Sequence, residues 1–245
     1  MTFLEIVNRI GMECAVSSFP LATVDSQTGE PQRIIEWANT AWLELQLEHN
    51  NWQWLRSSYL LRSVSQPALG FSFTTVTGQA VYPLGSGAGT VGVTEANFAS
   101  WVPTSFRNFV TANGVASEIF LDWVSYDAWR DGYAYAAQQL VETRNVAIAI
   151  APDNSICLGP YPISGYTLSG DYMRAPSQME EDDDVPLYLP SQYHMGIVYK
   201  AMRDSYGGYD LAPEVIERGR KGYMRILRRL ENLRVPMITA GRTLA

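Results

Sequence analysis

Phe3, Leu4, Ile6, Val7 and Ile10 recur at the spacing of one helix face, so the chain opens on a short amphipathic helix with Thr2 as N-cap and an end near Gly11. A polar loop from Ser17 to Glu30, with Pro20 and Gly29, separates it from a second helix. There Ile34, Ala38, Ala41, Trp42, Leu45 and His49 fall within an arc of about 120° at about 100° per residue, which marks a core-facing side. Leu43 and Leu47 lie on another side, so this helix is either covered twice or meets a neighbour. Asn50 and Asn51 weaken it, and Trp52, Trp54 and Leu55 follow as an aromatic knot.

From about Tyr59 the period changes to short runs of Phe, Tyr, Val and Thr broken by Gly, Pro and Asn, the pattern of antiparallel strands and turns. Phe71 to Val76 and Ala80 to Tyr82, joined by Thr77-Gly78-Gln79, read as a hairpin. Phe106 to Val110 and Ile119 to Val124 flank an Asn113-Gly114 turn signal. Tyr126 to Leu140, with Trp129, Tyr133, Ala136 and Ala137 on one face, reads as a helix inserted among strands. Val146 to Ile150, Ser155 to Leu158 and Tyr166 to Met173 complete the β region, with turns at Asp153-Asn154 and Ser164-Gly165.

Helical spacing returns after the acidic run Glu180 to Asp184 and Pro186. Met195, Val198, Tyr199 and Met202 form one helix, expected to stop at Gly207-Gly208. The last helix starts at Pro213, a first-turn proline, and runs to about Arg234. Ile216, Gly219, Tyr223, Ile226, Leu227, Leu230 and Leu233 share one side, and Arg218, Lys221, Arg225, Arg228 and Arg229 lie within about 100° on the other. That basic stripe is either a solvated face beside Glu214, Glu217 and Glu231 or a docking surface for an acidic partner or nucleic acid. The expected class is therefore α+β: a helical core from the N- and C-terminal segments, with a β-rich antiparallel insertion containing one further helix. The boundaries expected are 1–57 with 190–236 for the helical part, 58–189 for the insertion and 237–245 for a C-terminal arm.

Composition narrows the function. A formal net charge of −7 over 245 residues argues against a main task of gripping nucleic acid, since phosphate binding depends on clustered Lys and Arg. Cys14 and Cys157 lie far apart without zinc-like or disulfide-framework spacing, which points to a reducing compartment. Glu5 and Arg9 interrupt any signal-peptide core, and no apolar run approaches the roughly 18 residues of a membrane span, so a soluble protein made in the cytoplasm is expected. Seven Trp and fourteen Tyr exceed what an ordinary core demands and leave material for an oligomer interface.

Candidate chemistry is sparse. His49 sits on the buried arc and His194 at a helix start, with no metal or triad spacing nearby, so both read as structural. Gly87-Ala-Gly89-Thr-Val-Gly92 matches the dinucleotide fingerprint, but Pro83 and Pro103 flank it and no parallel βαβ unit surrounds it, so a flexible Gly-rich loop is the better reading. Glu180 to Asp184 carries the oxygens a Ca²⁺ site uses, but consecutive carboxylates cannot all face one ion, and a solvated surface loop is expected. No cofactor, metal or catalytic residue is assigned, and no enzyme activity is expected. Paired catalytic carboxylates stay open, because their spacing is set in space.

The order of these elements resembles that of the adaptor proteins that attach beneath the portal of tailed bacteriophages and complete the head. The resemblance is carried by the opening helix, Gln27-Thr-Gly-Glu30 to Arg33-Ile-Ile-Glu-Trp37, Ala41-Trp42, Trp52-Gln-Trp54-Leu55-Arg56 and Phe71-Ser-Phe-Thr-Thr75. It continues through Leu158-Gly159-Pro160, Tyr166 to Tyr172, Pro190 to Met195, and Ala212-Pro-Glu214 to Leu230, spanning most of residues 1 to 236. It implies a structural virion protein of the neck: a ring of about twelve copies on the portal protein, extending the DNA channel and offering a platform to tail or nozzle proteins. Genomic DNA would pass through the lumen without specific binding, no membrane is involved, and assembly takes place in the host cytoplasm. The C-terminal arm is the part expected to reach the portal, and Leu43 and Leu47 are the expected subunit-interface residues. Two other readings stay open: another neck or tail ring, such as a stopper or tail-tube subunit, and a carbohydrate-binding or hydrolytic phage module.

Overall fold

The computed structural model describes residues 1–49, 52–58, 70–135, 142–163, 165–210 and 212–232. The chain forms two compact units, Met1–Trp54 with Pro176–Ala245, and Leu55–Ala175. The class is α+β, with helices from the two ends of the chain in one unit and mainly antiparallel strands in the other. Residues 176–189, grouped by sequence pattern with the insertion, lie in the helical unit. The 237–245 arm, the end of the Tyr126 helix from Ala136 to Leu140, and Leu233 and Arg234 lie outside the described residues.

In the helical unit, α1 (Phe3–Glu13) is capped by Thr2, whose side chain accepts from the Glu5 N–H while the Glu5 carboxylate accepts from the Thr2 N–H, a reciprocal capping box. It continues past Gly11 to Glu13 and buries Phe3, Ile6, Val7 and Ile10. Gly11 is there for packing, since a Cβ on it would lie 2.2 Å from the Phe19 ring. α2 (Glu30–Leu47) buries Ile34, Ala38, Ala41, Trp42 and Leu45, the arc read from the sequence. His49 falls beyond its end, half-buried, with Nε2 3.3 Å from Glu231. The aromatic knot forms between Trp42 and Trp54, stacked at 5.6 Å, and Trp52, whose indole N–H donates to the Leu45 carbonyl.

After α4 (Met195–Ala201) the helix does not stop at Gly207-Gly208. It widens into a π-helical turn over Met202–Tyr206 and resumes as α5 (Gly207–Asp210). Gly207 keeps right-handed helical angles, and its missing side chain is required by a neighbour, because a Cβ would lie 2.2 Å from Ile216. The last helix, α6 (Pro213–Asn232), buries Gly219, Gly222, Tyr223, Ile226, Leu227 and Leu230.

The β-rich unit contains β1 (Arg56–Ser57), β2 (Phe71–Thr74), β3 (Val81–Tyr82), β4 (Phe98–Val110), β5 (Ile119–Phe120) and β6 (Asp122–Trp123). After α3 (Tyr126–Tyr133) come β7 (Glu142–Thr143), β8 (Ala147–Ile150), β9 (Ile156–Gly159), β10 (Tyr161–Pro162) and β11 (Tyr166–Arg174). One sheet runs β1-β11-β4-β5, with β2 also pairing β11, and a second runs β3-β9-β8-β6. Both sheets contribute to one aromatic core that includes Phe71, Tyr82, Phe98, Trp101, Phe106, Ile148, Ile156 and Leu168.

The expected hairpin from Phe71 to Tyr82 does not form. β2 pairs with β11 in the first sheet and β3 with β9 in the second, both antiparallel. Gly78 does make the turn, with a left-handed φ of 76°, but the two arms are drawn apart because Phe71 and Tyr82 enter the shared core from different sheets. Ile119 to Val124 splits in the same way: β5 pairs with β4, β6 runs parallel to β8, and the buried Leu121 marks the crossing. The excess aromatics go largely into packing, with Trp42, Trp52, Trp101 and Trp129 all buried.

Candidate docking surface

α6 is held close to α4 and the π-turn by glycines. A Cβ on Gly222 would lie 2.6 Å from the Tyr199 ring, and one on Gly219 would lie 2.9 Å from backbone atoms of Tyr199 and Arg203. The helix therefore sits nearly backbone to backbone on its neighbour, and its opposite face is presented on a rigid support.

That outward face carries the five basic residues singled out by the pattern, and all five are exposed. They divide into two groups. In the first half of the helix Arg218 reaches Glu13 at 3.4 Å and also donates to the Glu13 carbonyl, while Lys221 pairs with Glu217 at 3.3 Å. Arg220 shares Glu217 at 3.2 Å. In the second half Arg225, Arg228 and Arg229 have no ion pair among the described residues, so three guanidinium groups with five donors each face solvent. They lie near the C-terminus of the helix, where each cation also complements the macrodipole by about 0.3–1 kcal/mol. Beside them a groove of about 590 Å³ opens between Tyr199, Pro213, Glu217, Lys221 and Arg225.

Beneath this face lies a charged cluster that the sequence reading missed. Lys200, 5% exposed, has its ammonium 3.0 Å from Glu44, 3.2 Å from Asp204 and 3.7 Å from Glu48. Burial pulls the Lys200 pKa down, but hydrogen bonds to Glu44 and Asp204 outweigh it and the net shift is upward. Burial raises Tyr223, and the hydrogen bond its hydroxyl donates to Glu48 at 2.9 Å raises it further. The Lys200 ammonium and the Arg203 guanidinium also lie 5.1 Å and 4.6 Å from the Tyr223 ring centre. The i,i+4 spacings Glu44/Glu48 and Lys200/Asp204 were the available signal, but nothing local says that the two ridges meet.

The other candidates separate cleanly. Leu43 is half-buried and Leu47 is 61% exposed, on α2 and not on the basic face of α6. The acidic run turns inward instead of being merely solvated. The Asp184 carboxylate accepts from the Glu180 and Glu181 N–H groups at 2.6 and 2.9 Å, which lowers its pKa, and Asp182 accepts from the Val24 N–H at 2.6 Å. The Asp184 and Asp182 carbonyls accept the N–H groups of Phe3 and Leu4, closing the open end of α1. Glu180, Glu181 and Asp183 remain exposed. Among the described residues no group of His, Cys, Asp and Glu converges to hold a metal, and no helix is long and apolar enough to cross a membrane.

His194 is 1% exposed, its Nε2 donates to the Leu189 carbonyl at 3.0 Å, and burial lowers its pKa. Both thiols are buried and pushed up by that burial to about 12, which leaves them protonated and poor nucleophiles. The Gly-rich stretch is an ordered loop. Thr90 Oγ1 donates toward the Gly85 and Gly87 carbonyls, the Gly85 N–H donates to Val93, Gly89 and Gly92 take positive φ, and no helix follows that would present its N-terminus to a phosphate.

A protein-family model described as SU10 adaptor protein matches residues 1–240 of the chain. No curated protein matches it.

Proposed function

The chain belongs to the SU10 adaptor protein family, a phage head-to-tail adaptor family, and on that premise we propose that it docks on the portal protein as a ring of about twelve copies. A structural role in the phage neck follows from membership itself. In the finer reading the ring extends the DNA channel, gives tail or nozzle proteins their platform, assembles in the host cytoplasm and has no catalytic step. The 237–245 arm and the basic face of α6 reach the portal, and Leu43 and Leu47 lie in the contact between copies.

The observation that carries this reading is the second half of α6, where Arg225, Arg228 and Arg229 are exposed and unpaired among the described residues on a helix that glycines hold rigidly. A fixed basic face suits a partner with carboxylates, and Arg is favoured at interfaces because its planar group binds them in bidentate fashion. The net charge of −7 supports a conduit role, since an acidic wall offers DNA few contacts that release counterions.

Electron microscopy of the purified protein mixed with its portal tests the proposal. A ring stacked on the portal is expected, and a persistently unbound monomer would count decisively against it. Arg225→Glu with Arg229→Glu is expected to abolish docking while the protein stays folded. If docking survives that reversal, the stripe is a solvated face.

A further inference from the structure

In the β-rich unit, β11 and β4 keep register from Tyr166↔Val110 to Ser169↔Arg107 and resume at Asp171↔Val102. Residues 103–106 thus stand opposite the single Gly170, a bulge wide enough to open the sheet. Gly170 is required there, since a Cβ on it would lie 2.3 Å from the Phe106 ring on the core side. On the other side Ser105 repairs the interrupted ladder by accepting the Asp171 N–H at 2.9 Å. The bulge leaves a cavity of about 220 Å³ between Arg56, Thr104, Ser105, Arg107, Ser169 and Asp171.

One atom in this cavity has no partner. Ser169 is 0% exposed and its hydroxyl makes no hydrogen bond. Such an orphan costs about 1–3 kcal/mol unless something occupies the space before it. A single water, whose share of liquid volume is about 30 Å³, would satisfy the hydroxyl but leave most of the cavity unfilled.

The charge of the lining narrows the occupant. Arg56 donates from Nε and Nη2 to the same Asp171 oxygen, at 3.0 and 2.6 Å, so these two charges offset each other. Arg107 is left as the net positive charge of the lining, and its pairing to Glu118, which does not line the cavity, is a single contact at 3.2 Å. A guanidinium and hydroxyl donors around a small enclosed space match a group that accepts several hydrogen bonds and carries negative charge.

We propose that this bulge cavity is a binding site for one small oxyanion, held by Arg107 and the Ser169 hydroxyl, with Arg56 shielding it from Asp171. The anion draws Arg107 away from Glu118 and fills the space that Gly170 and the bulge create. The same chemistry serves free phosphate or a carboxylate from a neighbouring protein. The inference stands apart from the portal-docking reading, because none of its residues lies on α6.

Thermal unfolding and isothermal titration of the full chain, with inorganic phosphate and separately with acetate at matched ionic strength in chloride, test it. A saturable rise in midpoint with phosphate assigns the free ion, and one with acetate assigns a carboxylate. No rise beyond chloride with either anion overturns the site. Ser169→Ala is expected to leave the ligand-free midpoint unchanged or higher while removing the anion's increment, and Arg107→Gln to weaken binding about tenfold or more. Should Arg107→Gln fold poorly, Glu118→Gln decides the matter: freeing Arg107 is expected to tighten binding several-fold, and unchanged or weaker binding overturns the proposal.

Discussion

The acidic run at 180–184 and the basic face of α6 are equally conspicuous as charge clusters, yet their side chains have opposite fates. Asp182 and Asp184 are turned inward, accepting N–H groups from Val24, Glu180 and Glu181, and their carbonyls close the start of α1. On α6 the first half is compensated by Glu13 and Glu217, and Arg225, Arg228 and Arg229 are not. A charge run therefore says little about role until its hydrogen-bond partners are known. Carboxylates that accept backbone N–H groups hold a fold together, whereas unpaired guanidinium groups on a braced helix are free to meet something else.

The largest expected effect comes from removing the brace. Gly222→Leu forces a side chain into the Tyr199 ring and is expected to cost about 3 kcal/mol, lowering the unfolding midpoint by roughly 10 °C. Portal docking should fall with it. If the midpoint is unchanged by calorimetry, the close approach of α6 to α4 is wrong.

Next is the inward carboxylate. Asp184→Ala removes the acceptor of two N–H groups and is expected to destabilise by about 1 kcal/mol, read from denaturant unfolding. Because the folded pKa of Asp184 is depressed, its contribution is present above the unfolded value near pH 3.8 and is lost as pH falls through the lower folded value. The variant should show a shallower loss of stability on that acid limb.

A smaller pH effect belongs to His194, beside the same end of α1. Its folded pKa lies below the ordinary value of 6.5, so the folded state holds the neutral ring and the unfolded chain takes up the proton first. Stability is full above about pH 6.5 and declines as pH falls toward the folded value. His194→Gln is expected to flatten that window in unfolding curves measured from pH 8 to pH 5.

The smallest effect is the other half of the contrast. Arg225→Ala and Arg228→Ala should each change stability by less than about 0.5 kcal/mol, since neither group has an ion-pair partner among the described residues to lose. A loss above about 1 kcal/mol would mean that the basic face is structural, like the acidic run.

The sequence by itself determined the helices, their buried arcs and the outward basic stripe. Helix formation depends on neighbours three and four residues away, so Thr2 with Glu5, the arc from Ile34 to Leu45, and the two faces of α6 are written in local spacing. The family resemblance, legible in the order of elements, agrees with the match over residues 1–240. Tertiary structure alone decided which strand pairs with which, because a strand's hydrogen bonds go to partners far along the chain. The turn at Thr77-Gly78-Gln79 was readable, but the shared aromatic core sends its two arms to different sheets. It also decided that Gly207 serves packing instead of termination, that Lys200 sits among three carboxylates, and which arginines of the stripe remain unpaired. Each of these depends on what another segment places within a few ångströms, and local spacing carries no record of that.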